Sequence, residues 1–134
     1  MRGMTSQAAL IEHWRSLLTS YNEVASHLER ALSETHGLSM SEFEILDRLV
    51  AQQCEKRRMQ DLAADMYLSQ SALSRAVARL EKSGLVSRAL CEADRRGVFV
   101  TLTSEGLHRH TAARETHLAV LASHLQVGGQ DTRR

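Results

Sequence analysis

Residues 61–103 constrain the fold most, because the spacing of their apolar side chains changes from that of a helix to that of a strand. Before Gly84 the apolar residues recur about every 3.6 positions, as an α-helix requires. After Gly84 they alternate with a period of about two, which is typical of β-strands. The segment is therefore predicted to form a short helix, a turn, a second helix that ends at Gly84, and a β-hairpin with its tip at residues 91–97.

The second of these helices is predicted to have one apolar face and one face suited to DNA. Leu73, Val77 and Leu80 fall on the same side at helical spacing. The opposite side and its flanks carry small residues and cations, namely Ser71, Ser74, Arg75, Ala78, Arg79 and Lys82. A helix in the DNA major groove needs small side chains for close approach and arginines that reach guanine edges or phosphates. We therefore expect this helix to be a recognition helix.

Capping residues predict where the other helices begin and end. Gly37 is expected to end a first long helix in the left-handed conformation. Ser41 and Glu44 have the spacing of a capping box and are expected to open the next helix. Ser69 and Thr103 are expected to cap the recognition helix and the final helix.

Two long helices are predicted at the ends of the chain, over residues 5–36 and 104–126, on either side of a central lobe at residues 41–103. Their apolar positions alternate at intervals of four and three, the heptad pattern of helices that pack lengthwise. The first stripe is wider than one neighbour covers, so part of it is expected to face a second chain; a core helix of a monomer is the alternative. The whole chain, 1–134, is expected to be one domain with a disordered tail at 127–134.

Charge and composition indicate where positive charge is concentrated and in which cellular compartment the protein is expected. The net charge is only +1, but bases outnumber acids in residues 57–96 and acids outnumber bases in residues 1–56. The sequence has no apolar run long enough for a membrane span and no secretory signal pattern, so a cytoplasmic protein is expected. Cys54 and Cys91 do not make a disulfide framework in such a chain. Oxidation sensing by either cysteine is a separate possibility, because Arg57 or Arg58 would favour a thiolate at Cys54.

Four motifs follow one another along the chain: DLAADMYLSQSALSRAVARLE, KSGLVSR, DRRGVFV and LTSEG. In this order and spacing they resemble the multiple-antibiotic-resistance regulator (MarR) family of bacterial winged helix-turn-helix transcription factors. The resemblance implies a mainly α fold with a small β-hairpin wing and long dimerisation helices at both ends. It also implies a repressor that binds a pseudo-palindromic operator as a homodimer. Members of the family usually have one more helix where this sequence has VGGQDTRR, so the final helix is expected to carry more of the interface.

The resemblance also assigns roles to particular residues. It places the recognition-helix residues Gln70, Ser71, Ser74, Arg75 and Arg79 in the major groove. It places the wing residues Asp94, Arg95 and Arg96 at the adjacent minor groove, where Asp94 would orient the arginine that inserts. Family members bind small phenolic or aromatic ligands between the dimer arms and the DNA-binding lobe. Trp14 and Tyr21 would line such a cleft, with core packing as the alternative.

Other classes of function are less well supported by the sequence. It shows no nucleophile-base pair or phosphate loop, so no enzyme and no cofactor are expected. His110, His117 and His124 recur every seven residues, which puts them about 10 Å apart along one helix, too far to share a metal ion within one chain. Two subunits could still pair them, so a metal-responsive variant of the regulator stays an alternative. A pH response through these histidines stays open. A winged helix that binds proteins instead of DNA is the main alternative.

Overall fold

The computed structural model describes residues 6–51, 56–90 and 97–125. Five α-helices and three short β-strands lie within these ranges. In chain order they are α1 (Gln7–His36), α2 (Met40–Ala51), β1 (Lys56–Arg58), α3 (Met59–Met66), α4 (Gln70–Lys82), β2 (Val86–Leu90), β3 (Val98–Leu102) and α5 (Ser104–His124). The predicted mainly helical fold with a small wing is confirmed. No described helix is both long enough and apolar enough to cross a membrane.

Local capping explains most of the helix boundaries. Ser69 Oγ accepts a hydrogen bond from the Ala72 N–H at 3.1 Å, and Thr103 Oγ1 accepts one from the Gly106 N–H at 2.9 Å, so both predicted N-caps are confirmed. Gly37 ends α1 at φ +67° and Gly84 follows α4 at φ +80°, as expected for residues that stop a helix in the left-handed region.

The prediction that Ser41 and Glu44 form the capping box of α2 was wrong, because Ser39 and Glu42 form it. Ser39 Oγ accepts from the Glu42 N–H at 3.0 Å, and Glu42 Oε1 accepts from the Ser39 N–H at 2.9 Å. This reciprocal pair starts α2 at Met40 rather than at Ser41. Leu38 and Phe43 flank the pair at the two positions of a hydrophobic staple, and both are buried in the same core. That burial favours Ser39–Glu42 over the alternative of the same spacing, Ser41–Glu44.

The core lies in the central lobe, where α2, α3 and α4 meet the sheet and the end of α1. The fully buried side chains there are large and aliphatic or aromatic, including Leu32, Phe43, Ile45, Leu46, Leu62, Leu73, Val77, Leu80 and Val100. Helix α5 adds Ala113 to this core. Burial of these groups away from water supplies most of the stabilisation of the lobe. The packed lobe therefore provides a rigid support for the helices and strands at its surface.

The sheet has three antiparallel strands in the order β1-β3-β2. The predicted hairpin β2–β3 is present, with Arg88 opposite Val100. Strand β1 was not predicted, because its sequence Lys-Arg-Arg shows no apolar alternation. It forms through backbone pairing with β3, where Arg58 lies opposite Phe99 and its guanidinium is 5.7 Å from the centre of that ring.

The long helices α1 and α5 pack against each other but leave apolar surface exposed. Only Val24, Leu28 and Leu32, all in the second half of α1, are buried in that helix. Its first half exposes six large apolar or aromatic side chains, Leu10, Ile11, Trp14, Leu17, Leu18 and Tyr21. Helix α5 exposes Leu107 and Leu118, and Leu125 directly after it is exposed as well. The wide stripe predicted on α1 is therefore not covered within one described chain.

Candidate nucleic-acid interface

Helix α4 presents the surface that the sequence predicts. Leu73, Ala76, Val77 and Leu80 are buried, so the helix is anchored in the core by one face. The other face is open, with Gln70, Ser71, Arg75 and Arg79 exposed and Ser74 half-buried. Small side chains on this face leave the helix backbone accessible to a large partner. The predicted separation of a buried and an exposed face on this helix is confirmed.

A cleft of about 460 Å³ separates the start of α4 from the sheet. It brings three of the predicted residues, Gln70, Ser71 and Ser74, to the same surface as residues from all three strands or their ends. The remaining lining residues are Arg58, Met59, Gln60, Arg88, Gly97 and Val98. Arg75 does not line this cleft but lies on the exposed face of α4, four positions after Ser71. The described surface is thus a helix with a basic sheet edge beside it.

Arg58 and Arg88 belong to this surface although the sequence did not assign them to the interface. Arg88 Nε donates to Glu81 Oε1 at 2.9 Å, so the partner of Arg88 comes from α4. The Arg58 guanidinium lies over the ring of Phe99. The basic run Lys56–Arg58 was the only sequence signal for Arg58, because the strand that contains it forms through pairing with the distant strand β3.

Arg79 is held differently from Arg75. Its Nε donates to Glu42 Oε2 at 2.6 Å, across the fold, while its side chain remains 56% exposed. The Glu42 side chain is only 10% exposed. The sequence assigned both arginines to the same role, but the structure gives only Arg79 a buried carboxylate partner on α2.

Tyr67, in the turn between α3 and α4, has an unusual backbone conformation. It is the only described non-glycine residue with a positive φ, at 57°, and its side chain is 94% exposed. Left-handed backbone costs an L-residue with a side chain about 1–2 kcal/mol relative to glycine. Its ring lies beside the cleft of about 300 Å³ that Tyr21, Met40 and Arg48 also line.

The other predicted site residues fall into two groups. Asp94, Arg95, Arg96, Cys54 and Cys91 lie outside the described residues. Trp14 and Tyr21 are 58% and 62% exposed, so neither packs into the core of this chain. Tyr21 lines the cleft between α1, α2 and the α3–α4 turn, whereas Trp14 is not among the residues that line it.

The histidines connect helices, a role that sequence reasoning missed. His110 is buried on α5, with its Nε2 2.7 Å from Asp47 Oδ1 of α2. The ring of His117 stacks on Phe43 with a centroid distance of 4.4 Å, and burial lowers the pKa of His117. His27 of α1 stacks on His124 of α5 at 3.8 Å. The seven-residue spacing of His110, His117 and His124 could not identify these partners, which lie on α1 and α2.

Two further observations bear on the chemistry of the surface. The hydrogen bond from Arg57 holds the pKa of the Asp65 carboxyl below its usual value, so this pair joins β1 to α3 as ions. Within residues 6–51, 56–90 and 97–125, no three His, Cys, Asp or Glu side chains are grouped so that they could hold a metal ion.

A helix-turn-helix whose second helix is exposed, followed by a small antiparallel sheet, defines the winged helix-turn-helix class of DNA-binding folds. The family model described as MarR family matches residues 38–98 of the chain. A comparison with curated proteins gave no match. Together with a solved family member that is 33% identical and matches 92% of this chain, the family-model match shows that the chain belongs to the MarR family of transcriptional regulators.

Three solved structures are similar to this chain over most of their length. AbsC, a MarR family transcriptional regulator from Streptomyces coelicolor, is 33% identical, with a TM-score of 0.80; the match covers 92% of this chain and 82% of AbsC. Sco3205, a regulator of the same family and organism solved in complex with DNA, is 32% identical, with a TM-score of 0.80. That match covers 93% of this chain and 77% of Sco3205. CouR from Rhodococcus jostii RHA1, solved bound to p-coumaroyl-CoA, is 28% identical, with a TM-score of 0.78 and coverage of 94% and 85%.

Proposed function

We propose that this regulator is a repressor that binds a pseudo-palindromic operator as a homodimer. The observation that carries the proposal is the exposed face of α4, which shares a cleft with the basic edge of the sheet. In this arrangement the helix enters the major groove and the sheet follows the neighbouring phosphate backbone. Sco3205, which has the same fold and was solved in complex with DNA, supports DNA binding by this fold.

The groove contacts are proposed to come from the start and middle of α4. Gln70, Ser71 and Ser74 lie in the cleft at its amino-terminal end, where recognition helices contact base edges. Arg75 is exposed, and a guanidinium at this place can pair with guanine N7 and O6. Arg58 and Arg88, on the sheet, are proposed to contact phosphates, which position the protein without reading sequence.

The wing tip is proposed to insert into the minor groove next to the major groove that α4 occupies. This proposal rests on the family resemblance of the motif that contains Asp94, Arg95 and Arg96, and on the adjacent position of β2 and β3. A narrow A·T-rich minor groove concentrates negative potential and attracts an inserted guanidinium. Asp94 would orient Arg96, since a carboxylate alone is repelled by phosphate.

Dimerisation is proposed to use the apolar stripes of α1 and α5 that one chain leaves exposed. The six exposed residues in the first half of α1 form a contiguous heptad stripe, and Leu107 and Leu118 extend apolar surface along α5. Burial of such a stripe against a second copy would be favourable at roughly 25 cal/mol for each Å² removed from water. The two α4 helices of the dimer are proposed to lie about 34 Å apart, one turn of B-DNA.

A small aromatic or phenolic effector is proposed to bind between the dimer arm and the DNA-binding lobe. The cleft of about 300 Å³ lined by Tyr21 connects α1 of the arm with α2 and the α3–α4 turn of the lobe. CouR, with an aromatic acyl-CoA ligand, is a related example of ligand binding in this fold. An effector there would change DNA affinity only if it binds the two arrangements of the lobes with different affinity.

The decisive experiment selects fragments of the source genome that the purified protein retains, and then measures their affinity by fluorescence anisotropy. The proposal predicts enrichment of fragments with inverted half-sites. With 6–10 phosphate contacts, the affinity should fall about 10³-fold to 10⁵-fold between 50 and 200 mM salt. Random recovery of fragments, with no dependence on salt, would contradict DNA binding and favour a protein-interaction module.

A further inference from the structure

The pair Arg79–Glu42 joins the recognition helix to the start of another helix. Glu42 lies in the first turn of α2 and is almost completely buried, whereas Arg79 lies in the last turn of α4. The Arg79 Nε is 2.6 Å from Glu42 Oε2, a short charge-assisted hydrogen bond between residues 37 positions apart in the chain. The contact therefore fixes the relative position of α2 and α4.

Both oxygens of the Glu42 carboxylate are occupied. While Oε2 accepts from Arg79, Oε1 accepts from the Ser39 N–H and completes the capping box of α2. Carboxylates are rarely buried unless they are paired, because the lost hydration must be replaced by hydrogen bonds. Glu42 thus connects the cap of α2 to the last turn of α4, and removal of Arg79 would leave one buried oxygen without its partner.

The position of Arg79 along α4 separates it from the residues that line the cleft. Gln70, Ser71 and Ser74 lie in the first half of the helix, and recognition helices contact bases mainly through their amino-terminal residues. Arg79 is five positions beyond Ser74, and its Nε donates a hydrogen bond to the buried carboxylate of Glu42. A rigid connection at this end would set the angle at which the other end meets DNA.

We propose that Arg79 is a positioning residue, which fixes the angle of α4 through Glu42 and does not read bases or bind phosphate itself. This inference rests on the proposed function, in which α4 enters the major groove. It departs from the assignment of Arg79 as a direct DNA contact that the family resemblance implies. Glu42 is then part of the same device, although it is too deeply buried to touch DNA.

The test is a double-mutant cycle on the ratio of affinities for a selected operator and a random duplex. Glu42→Gln keeps the shape and an acceptor oxygen but removes the charge, and Arg79→Gln removes the cation. Each single change is expected to lower the ratio on the order of tenfold, the lower end of the scale of one charge-assisted hydrogen bond. The double variant should lose no more than either single variant, because both changes break the same contact.

Arg75→Gln serves as the matched control, because it removes an exposed arginine four positions away on the same helix, and its loss should add to that of Glu42→Gln. Ser39→Ala removes the cap hydroxyl but keeps the Glu42–Arg79 contact, so it should lower stability and leave the ratio unchanged. All ratios are measured at a temperature where circular dichroism shows each variant to be folded. If Arg79 only stabilised the fold, Arg79→Gln would lower the free energy of unfolding and leave the ratio of the two affinities unchanged.

Salt dependence on the random duplex gives an independent readout. Loss of a phosphate contact would make the slope of log K against log salt shallower by about 0.9, and Arg79→Gln is expected to leave it unchanged. Additive losses for Arg79→Gln and Glu42→Gln, or a shallower slope for Arg79→Gln, would overturn the positioning role while DNA binding stands. A wild-type protein that binds no duplex would overturn the proposed function, and this inference with it.

Discussion

Replacement of Gly106 by alanine is predicted to destabilise the protein, although the same replacement at a solvent-exposed position inside a helix increases stability. Gly106 is buried in the first turn of α5, and its N–H donates to Thr103 Oγ1. A Cβ atom at this position would lie 2.1 Å from the backbone oxygen of Leu85 and 2.9 Å from Leu102 Cδ1. Real Cβ contacts are not this short, so part of the structure would have to move.

The backbone oxygen of Leu85 cannot move without further loss. It accepts hydrogen bonds from the Thr103 N–H at 3.1 Å and from the Thr103 hydroxyl at 2.9 Å. An extra methyl group in a tightly packed site costs about 1–3 kcal/mol, and a clash with backbone belongs at the upper end. Against this stands a gain of at most about 1 kcal/mol from the better helix propensity of alanine. The expected net effect is a loss of about 2 kcal/mol in the free energy of unfolding.

The assay is urea unfolding followed by circular dichroism at one fixed protein concentration, because association would make the midpoint depend on concentration. Gly37→Ala is the control, since its Cβ would meet no atom within 4 Å and only the positive φ of +67° penalises it. We expect that control to lose about 1 kcal/mol. A Gly106→Ala variant as stable as the wild type would refute the reasoning about the junction of α5 with the sheet.

Four further predictions concern single side chains. Tyr67→Gly should raise the free energy of unfolding by about 0.5–1 kcal/mol, because glycine relieves the left-handed strain but loses more backbone freedom on folding. An unchanged urea midpoint would count against this. Burial lowers the pKa of His117, so the unfolded chain binds a proton more readily than the folded one, and stability should decrease as the pH falls below about 6.5. His117→Phe, which can still stack on Phe43, should make the urea midpoint less dependent on pH between 5 and 7. If the pH dependence of the midpoint does not change, it arises from other titratable groups. Arg75→Ala should weaken operator binding by about 1–3 kcal/mol, whereas an equal loss on random duplex would make it a phosphate contact. Arg96→Ala should weaken binding most on operators with A·T-rich flanks, and indifference to the flanks would argue against minor-groove insertion.

Features set by neighbouring residues were predictable from the sequence. The buried face of α4 follows from the helical spacing of Leu73, Val77 and Leu80, and the caps at Ser69 and Thr103 depend on hydrogen bonds three residues away. Gly84 is similar, because a left-handed residue after a helix is a local requirement. The motif LTSEG now has a physical reason as well, since Gly106 admits the backbone of Leu85.

Features set by distant residues were not predictable in the same way. Strand β1 exists because its backbone pairs with β3, and nothing in Lys-Arg-Arg itself favours a strand. The choice of Ser39 over Ser41 as the cap of α2 depends on the burial of Leu38. Likewise, the sequence could place Arg79 on the open face of α4 but could not show that Glu42 lies within hydrogen-bonding distance. In each case the deciding partner comes from another element.

The stoichiometry of an anisotropy titration tests the central claim most directly. A duplex selected from the source genome, held well above its dissociation constant, is titrated with the purified chain, and the titration is repeated at lower DNA concentrations across a series of salt concentrations. We expect saturation at two chains per duplex and an affinity that falls linearly on a log–log plot as salt rises. Saturation at one chain per duplex, or an affinity that salt does not change, would contradict a dimer that places two α4 helices in successive major grooves.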